Sequence, residues 1–261
     1  MEKGEFASSQ RKPKQTANPS RFISNFILML LFFAGFSFAQ QEIYSLHVWG
    51  DIVKIASDGS TSLYTNIGSF CTSEGYWSLT SDTSGNLFAM CMTGHVIKVT
   101  PEKTASVLAD IRSYSTYWHY VNLATDSSGN VFAVSQQGKV IKILPDGTHS
   151  QIADIDSLGD DWMSGVATDT EGNIYSANWH NQIAKITPSG EAAIFATTSK
   201  GISNIATDAS GNLYVSMSDG STYADVARVS QDGTVTEYSD LSSIFVDGWY
   251  GLAADEFGNT Y

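Results

Sequence analysis

Short apolar and polar runs alternate along most of the chain, and a five-residue signature recurs among them. An apolar run such as "NLAT" precedes the signature, and an alternating run such as "NVFAV" follows it. A period of two is typical of strands, and after the N-terminus no stretch of ten or more residues keeps the apolar period of a helix. The pattern predicts an all-β protein built from short strands.

The signature D-x-x-G-N divides the chain into repeats. Its copies are spaced by 44, 43, 39 and 47 residues and begin at Asp82, Asp126, Asp169, Asp208 and Asp255. A second hairpin run such as "VIKI" follows, then a turn such as "PDG" and a fourth strand. Four-stranded units at this period predict the blades of a β-propeller.

Turn chemistry explains the signature. An Asp that opens a tight hairpin accepts a backbone N–H two residues on, and Gly supplies the positive φ needed to reverse the chain. A calcium loop is the alternative interpretation. It needs several oxygen ligands at alternate positions, whereas most copies offer one acidic side chain. We therefore interpret the signature as structural.

One basic residue recurs in the third strand of every repeat. The five are Lys54, Lys98, Lys142, Lys185 and Arg228. Our hypothesis is that each lies near an Asp of a turn signature, in its own blade or the next.

The first 39 residues form a separate segment. Residues 1–21 carry five basic and two acidic side chains, and the uncharged run "FISNFILMLLFFAGFSFA" follows, with small residues at Ser37 and Ala39. This order is typical of a secretory signal peptide cleaved after Ala39. An uncleaved anchor is the alternative, because the run is long. Both predict an exported propeller domain at residues 40–261, extracellular or periplasmic.

The predicted domain is strongly acidic. The chain has 14 basic and 27 acidic residues, of which five and two precede residue 22, so 9 and 25 remain and the net charge is −16 with neutral histidine. Such a domain repels nucleic-acid phosphates and anionic lipid surfaces. Cations, neutral sugars and basic partners are compatible with it, as is a purely solubilising role.

The domain contains two cysteines, Cys71 and Cys91. An even count in an oxidising compartment favours a disulfide between them, and two part-buried thiols are the alternative. The sequence has no CxxC or Cys/His spacing of a zinc site.

The repeats resemble known propellers. The pattern A-T-D-x-x-G-N-[LIV]-[YF] is similar to repeats of NHL-type propellers and of the gluconolactonase and senescence-marker-protein superfamily. The stretch "NQIAKITPSG" is similar to the blade motif of virginiamycin B lyase-like (streptogramin lyase-like) proteins. The resemblance covers about residues 42–261 and implies the fold rather than an activity, because its motifs build turns and strands.

Blade number separates this chain from those relatives, which usually have six. The five repeats here allow two arrangements. The strand before Asp255 completes the first blade of a closed five-bladed ring, or the chain is a fragment of a six-bladed propeller.

Aromatic residues concentrate in the long loops that enter the inner strands and in the turns between second and third strands. Long loops on a rigid scaffold commonly carry function. Rings there would stack on sugars or peptides, although packing between blades is the structural alternative. The candidate ligand-binding residues are Tyr117, Trp118, Trp162, Trp179 and Trp249.

Acidic side chains align on the predicted rim of the face formed by these loops, and asparagines align further in, at the predicted channel mouth. Carboxylate and amide oxygens bind Ca²⁺ or Mg²⁺, and the candidates are Glu74, Asn122, Asp161, Asn204 and Asp247. The resembled lactonases hold a metal with an early Glu, an Asn and an Asp, but no early Glu occupies that motif here. The resembled streptogramin lyases use a His near magnesium, for which His119 and His180 are the candidates.

Three functions follow. The favoured one is a secreted, non-catalytic propeller that binds a carbohydrate, peptide or protein partner through its aromatic, acidic face. The alternatives are a metal-dependent lactonase or streptogramin-lyase-like enzyme, and a structural module of a longer surface protein.

Overall fold

A computed structural model describes residues 43–71, 75–115, 122–160, 162, 164–218 and 224–240. In these ranges the chain forms 19 strands in five antiparallel sheets, which we number as blades 1–5. Blade 1 contains β1 (Ile43–Leu46), β2 (Asp51–Ile55) and β3 (Thr61–Asn66). Blade 2 contains β4 (Tyr76–Ser81), β5 (Leu87–Cys91), β6 (His95–Val99) and β7 (Ala105–Asp110), and blade 3 contains β8 (Leu123–Thr125), β9 (Val131–Val134), β10 (Lys139–Ile143) and β11 (His149–Asp154). Blade 4 contains β12 (Gly165–Thr168), β13 (Ile174–Ala177), β14 (Gln182–Ile186) and β15 (Ala192–Thr197), and blade 5 contains β16 (Gly201–Thr207), β17 (Leu213–Ser218), β18 (Ala224–Val229) and β19 (Val235–Asp240).

Within every blade the strands pair in the order in which they occur in the chain. The first strands of blades 2 to 5 contact one another in succession, β4 with β8, β8 with β12 and β12 with β16. These four are therefore the inner strands, and the blades succeed one another around a common axis. This arrangement confirms the predicted β-propeller of five repeats.

The hydrophobic core lies between the blades rather than within one sheet. Four clusters fill the successive interfaces, for example Phe88 of blade 2 with Ile141 of blade 3, and Tyr175 of blade 4 with Val215 of blade 5. The second strands are covered on both faces, so β5 and β9 are buried at every position. This explains why "LFAMC" and "VFAV" are apolar almost throughout instead of alternating.

The D-x-x-G-N signature forms the turn between first and second strands, as predicted, in the four copies that the structure describes. In blade 5, Asp208 Oδ1 accepts hydrogen bonds from the N–H groups of Ser210 and Asn212, both at 2.9 Å, and Asp208 Oδ2 accepts one from Asn212 Nδ2 at 2.8 Å. The glycine of this turn, Gly211, has φ +78°. The same three bonds recur at Asp82, Asp126 and Asp169. Both carboxylate oxygens are thus used within the turn, in agreement with the structural interpretation.

We expect Asp208→Asn to lower the free energy of unfolding by about 2 kcal/mol, because a carboxylate only 8% exposed loses its charge-assisted bonds. Urea denaturation measures this loss. Asp232→Asn is the control, since this exposed turn carboxylate accepts a bond from Thr234 N–H at 3.0 Å but stays in water, and it should cost clearly less than Asp208→Asn. Calcium that stabilises the wild type but not Asp208→Asn would restore the calcium-loop interpretation.

The third-strand basic residues lie opposite aromatic residues of the second strand. Lys98 Nζ is 5.9 Å from the Phe88 ring centroid, and Lys142 and Lys185 make equivalent contacts with Phe132 and Tyr175. In blade 5, Arg228 donates to Asn212 Oδ1 of the signature at 2.8 Å. The contacts that the structure describes for Lys98, Lys142 and Lys185 are therefore cation–π contacts, and the proximity of these residues to a signature Asp stays a prediction. The antiparallel register places each pair face to face.

Threonine hydroxyls join neighbouring inner strands just before the signature. Thr125 donates to Ser81 O at 2.5 Å, Thr168 to Thr125 O at 2.7 Å and Thr207 to Thr168 O at 2.8 Å. Each bond crosses from one blade to the preceding one. Together they set the inner strands at equal heights, so the opposite ends of the blades form a common face.

The predicted signal segment, residues 1–39, lies outside the described residues, as does the fifth signature at Asp255. Among the described residues, none belongs to a helix that has both the length and the apolar character to span a membrane.

Candidate functional site

The candidate site is the end of the blades opposite the signature turns, which we call the tip face. It consists of the turns between second and third strands, here called tips, and of the loops that enter the inner strands. In blade 1 the strands β1, β2 and β3 correspond to the second, third and fourth strands of the other blades, so its tip is the turn between β1 and β2. The tips of blades 1 and 3 lie against the segment that leads into the next inner strand: Val48 O accepts from Tyr76 N–H at 2.9 Å, and Gln136 O accepts from Trp162 N–H at 3.3 Å. Tips and entering loops therefore share one surface.

Backbone hydrogen bonds fix the tips. In blades 1 to 3 the tip carbonyl of Gly50, Gly94 or Gly138 accepts an N–H from a fully buried isoleucine after the fourth strand, at 2.8–2.9 Å. These glycines have positive φ, and in blade 4 Asn181 takes the same role with φ +66°. Asn tolerates this left-handed conformation better than most residues. The tip "NWHN" is consequently as well anchored as the glycine tips.

Two tips expose a tryptophan beside a histidine. Trp179 of blade 4, a predicted ligand-binding residue, is 42% exposed, and the adjacent predicted candidate His180 is also exposed. In blade 1, Trp49 is 63% exposed and His47 is exposed two residues away. A tip that carries an exposed indole offers a flat apolar surface with a polar edge.

Trp49 was missing from the sequence-based candidates. Blade 1 has no signature copy before its tip, so the alignment on the signature Asp gave this tip no anchor. The spacing of the tip to the following strand was the available signal, because "VWG" directly precedes β2 as "WHN" directly precedes β14.

Trp162, another predicted ligand-binding residue, lies in the interior. Its side chain is 1% exposed and belongs to the cluster between blades 3 and 4, and its Nε1 donates to Gly159 O at 2.6 Å. The indole therefore has its polar group satisfied and its faces covered. The prediction that Trp162 binds a ligand is therefore not supported by its position. Trp162 instead packs between blades, which was the alternative role considered for the loop aromatics.

The asparagine candidates occupy equivalent positions in the repeat: Asn122 directly precedes β8, Asn204 lies in the middle of β16, and both are half-buried. Asn204 Oδ1 accepts from the N–H of Ile205 at 2.7 Å, so this oxygen already has a donor. Within the described ranges, no group of three or more His, Cys, Asp or Glu side chains is arranged to hold a metal ion.

The remaining candidates fall outside the described residues. They are the metal candidates Glu74, Asp161 and Asp247, the catalytic candidate His119, and the ligand-binding candidates Tyr117, Trp118 and Trp249.

Cys71 and Cys91 form a disulfide with Cα atoms 5.8 Å apart, and both side chains are buried. Cys71 lies in the loop that enters blade 2, and Cys91 ends β5 directly before the tip of the same blade. The bond therefore ties an entering loop of the tip face to the neighbouring tip.

The described Lys and Arg side chains of the tip face are each paired with an Asp. Arg112 contacts Asp110 at 2.5 Å, Lys200 contacts Asp225 at 2.5 Å, and Lys139 pairs with Asp154. Hydrogen bonding from Arg112 lowers the pKa of Asp110 to about 2. Lys200, which lies in the loop that enters blade 5, is thus held by Asp225 of the same blade.

Comparison with known proteins gives a clear result for the fold. No family model matches the sequence, and a search of curated proteins gives no significant match. Among solved structures, a gluconolactonase from Xanthomonas campestris has 14% identity and a TM-score of 0.61, covering 88% of this chain and 80% of that one. Regucalcin, a calcium-binding protein from Agrobacterium tumefaciens, has 13% identity and a TM-score of 0.58, with coverage of 87% and 78%. YCF48 bound to D1 peptide has 13% identity and a TM-score of 0.56, with coverage of 81% and 68%. The chain therefore has the β-propeller fold found in the gluconolactonase and regucalcin structures.

Proposed function

We propose that the protein is an exported binding module that holds a carbohydrate, peptide or protein partner on its tip face. The observation that carries this proposal is the exposure of Trp49 and Trp179 on anchored tips of two different blades. Tryptophan is enriched among the residues that carry most of the binding energy in interfaces, and these two side chains stay exposed while other aromatic residues fill the space between blades.

The rigidity of the tips supports the proposal. Each indole is carried by a turn whose backbone is hydrogen-bonded to a neighbouring segment, so little conformational entropy is lost when a ligand covers the ring. Among similar folds, YCF48 was solved with a peptide bound.

Export is supported by two features. The order of basic, apolar and small residues in positions 1–39 matches a signal segment. The Cys71–Cys91 bond suits an oxidising compartment.

The test compares wild type and the double variant Trp49→Ala/Trp179→Ala on glycan and peptide arrays. We expect the bound ligand to lose at least about tenfold in affinity, because truncating a central aromatic contact commonly costs 2 kcal/mol or more. Leu63→Ala/Ile194→Ala is the matched control. These residues are exposed in the outer strands of the same two blades, so they should leave affinity unchanged. Equal affinity of both double variants and the wild type would reject the tip face as the binding surface.

A further inference from the structure

The tip of blade 4 stands beside an acidic loop. The loop that enters this blade approaches the base of the tip so closely that a Cβ on Gly159 would lie 2.4 Å from Gln182 Oε1 and 3.0 Å from Asn178 Nδ2. Asp156 and Asp160, which flank Gly159 in this loop, are both exposed. The loop that carries the two carboxylates therefore packs against Asn178 and Gln182, the residues that bracket Trp179 and His180 in the tip.

The basic side chains described on the tip face already form ion pairs with other residues. The described Lys and Arg side chains of the tip face are Arg112, Lys139 and Lys200. Each forms an ion pair with a nearby Asp: Arg112 with Asp110, Lys139 with Asp154 and Lys200 with Asp225. In the part of the chain that the structure describes, no ion pair involves Asp156 or Asp160. The loop beside Trp179 thus presents uncompensated negative charge in a strongly acidic domain.

The indole of Trp179 and the carboxylates of Asp156 and Asp160 all attract cations. The negative face of an indole attracts ammonium and guanidinium groups, and two uncompensated carboxylates add Coulomb attraction that salt screens. A neutral sugar would use the indole but gain little from the charges, and an anionic ligand would be repelled.

We propose that the surface formed by Asp156, Asp160, Trp179 and His180 binds a lysine- or arginine-containing segment of a partner protein. The proposal rests on the proposed function and specifies the partner for the blade 4 part of the tip face. The cationic side chain lies over the indole, and the loop carboxylates bind the neighbouring positive groups of the segment.

Fluorescence anisotropy with labelled hexalysine, hexaglutamate and cellohexaose tests the proposal. The wild type should bind hexalysine alone, with affinity that falls steeply as salt is added. Trp179→Ala and the double variant Asp156→Asn/Asp160→Asn should each weaken hexalysine binding by about tenfold, and the double variant should also flatten the salt dependence.

The matched control is Glu102→Gln/Glu191→Gln. It removes two exposed charges at the opposite end of blades 2 and 4, and it should change hexalysine affinity by less than about twofold, since these charges lie beyond the screening length. Equal weakening by both charge variants would overturn the proposal, because net charge alone would explain binding. Absence of hexalysine binding would also overturn it. Cellohexaose binding that depends on Trp179 but not on the two carboxylates would overturn it while leaving the proposed function intact.

Discussion

Replacing Trp162 with alanine is expected to lower the free energy of unfolding by about 3–5 kcal/mol, the usual cost of truncating a large buried aromatic residue. The indole fills the interface between blades 3 and 4 and is 1% exposed. Its removal leaves a cavity and also leaves Gly159 O without the donor that lies at 2.6 Å. Urea denaturation followed by circular dichroism measures the loss.

Trp179→Ala is the control for the same residue type. Because 42% of this side chain is exposed and it lies on a tip, its loss should cost less than about 1 kcal/mol. Equal destabilisation by the two variants would contradict the division into a core tryptophan and a surface tryptophan. A binding defect in Trp162→Ala with unchanged stability would return Trp162 to the binding surface.

Replacing both Cys71 and Cys91 with alanine is expected to destabilise the protein by about 3 kcal/mol, because the bond closes a loop across a sequence separation of 20 residues. The free energy of unfolding from urea curves gives the value. Reductant should lower the stability of the wild type by a similar amount.

The double cysteine variant should not respond to reductant, which separates bond loss from other effects. Intact mass should show the wild type lighter by two hydrogens than its reduced form. A wild type whose mass and stability do not change on reduction would support the alternative of two part-buried thiols.

The repeat was readable from the sequence because it is a property of local turn chemistry. Asp82 and its counterparts need only the residues two and four positions on to bind their carboxylates, so the signature predicts the turn without knowledge of the rest of the fold. Fixed turns at a regular period then predict blades. The buried second strands follow from the same geometry, since each blade covers its neighbours.

The candidate site was less predictable because it depends on contacts between blades. Position in the repeat placed both Trp162 and Trp179 near the tip face, but the interblade space accepts one ring and the tip exposes the other. The sequence also did not predict the contact of Lys98 with the Phe88 ring, which the antiparallel register of the two strands produces. Local sequence does not determine whether a side chain points into the space between two blades or toward solvent, because that depends on residues of the neighbouring blade.

The central claim is that the tip face binds the partner, and nuclear magnetic resonance of the indole N–H groups tests it most directly. The chain has six tryptophans, and each gives one indole signal that alanine substitution assigns. On titration with the strongest array ligand, the signals of Trp49 and Trp179 should shift in proportion to occupancy while that of Trp162 stays in place. A saturating ligand that moves neither tip signal would contradict the account.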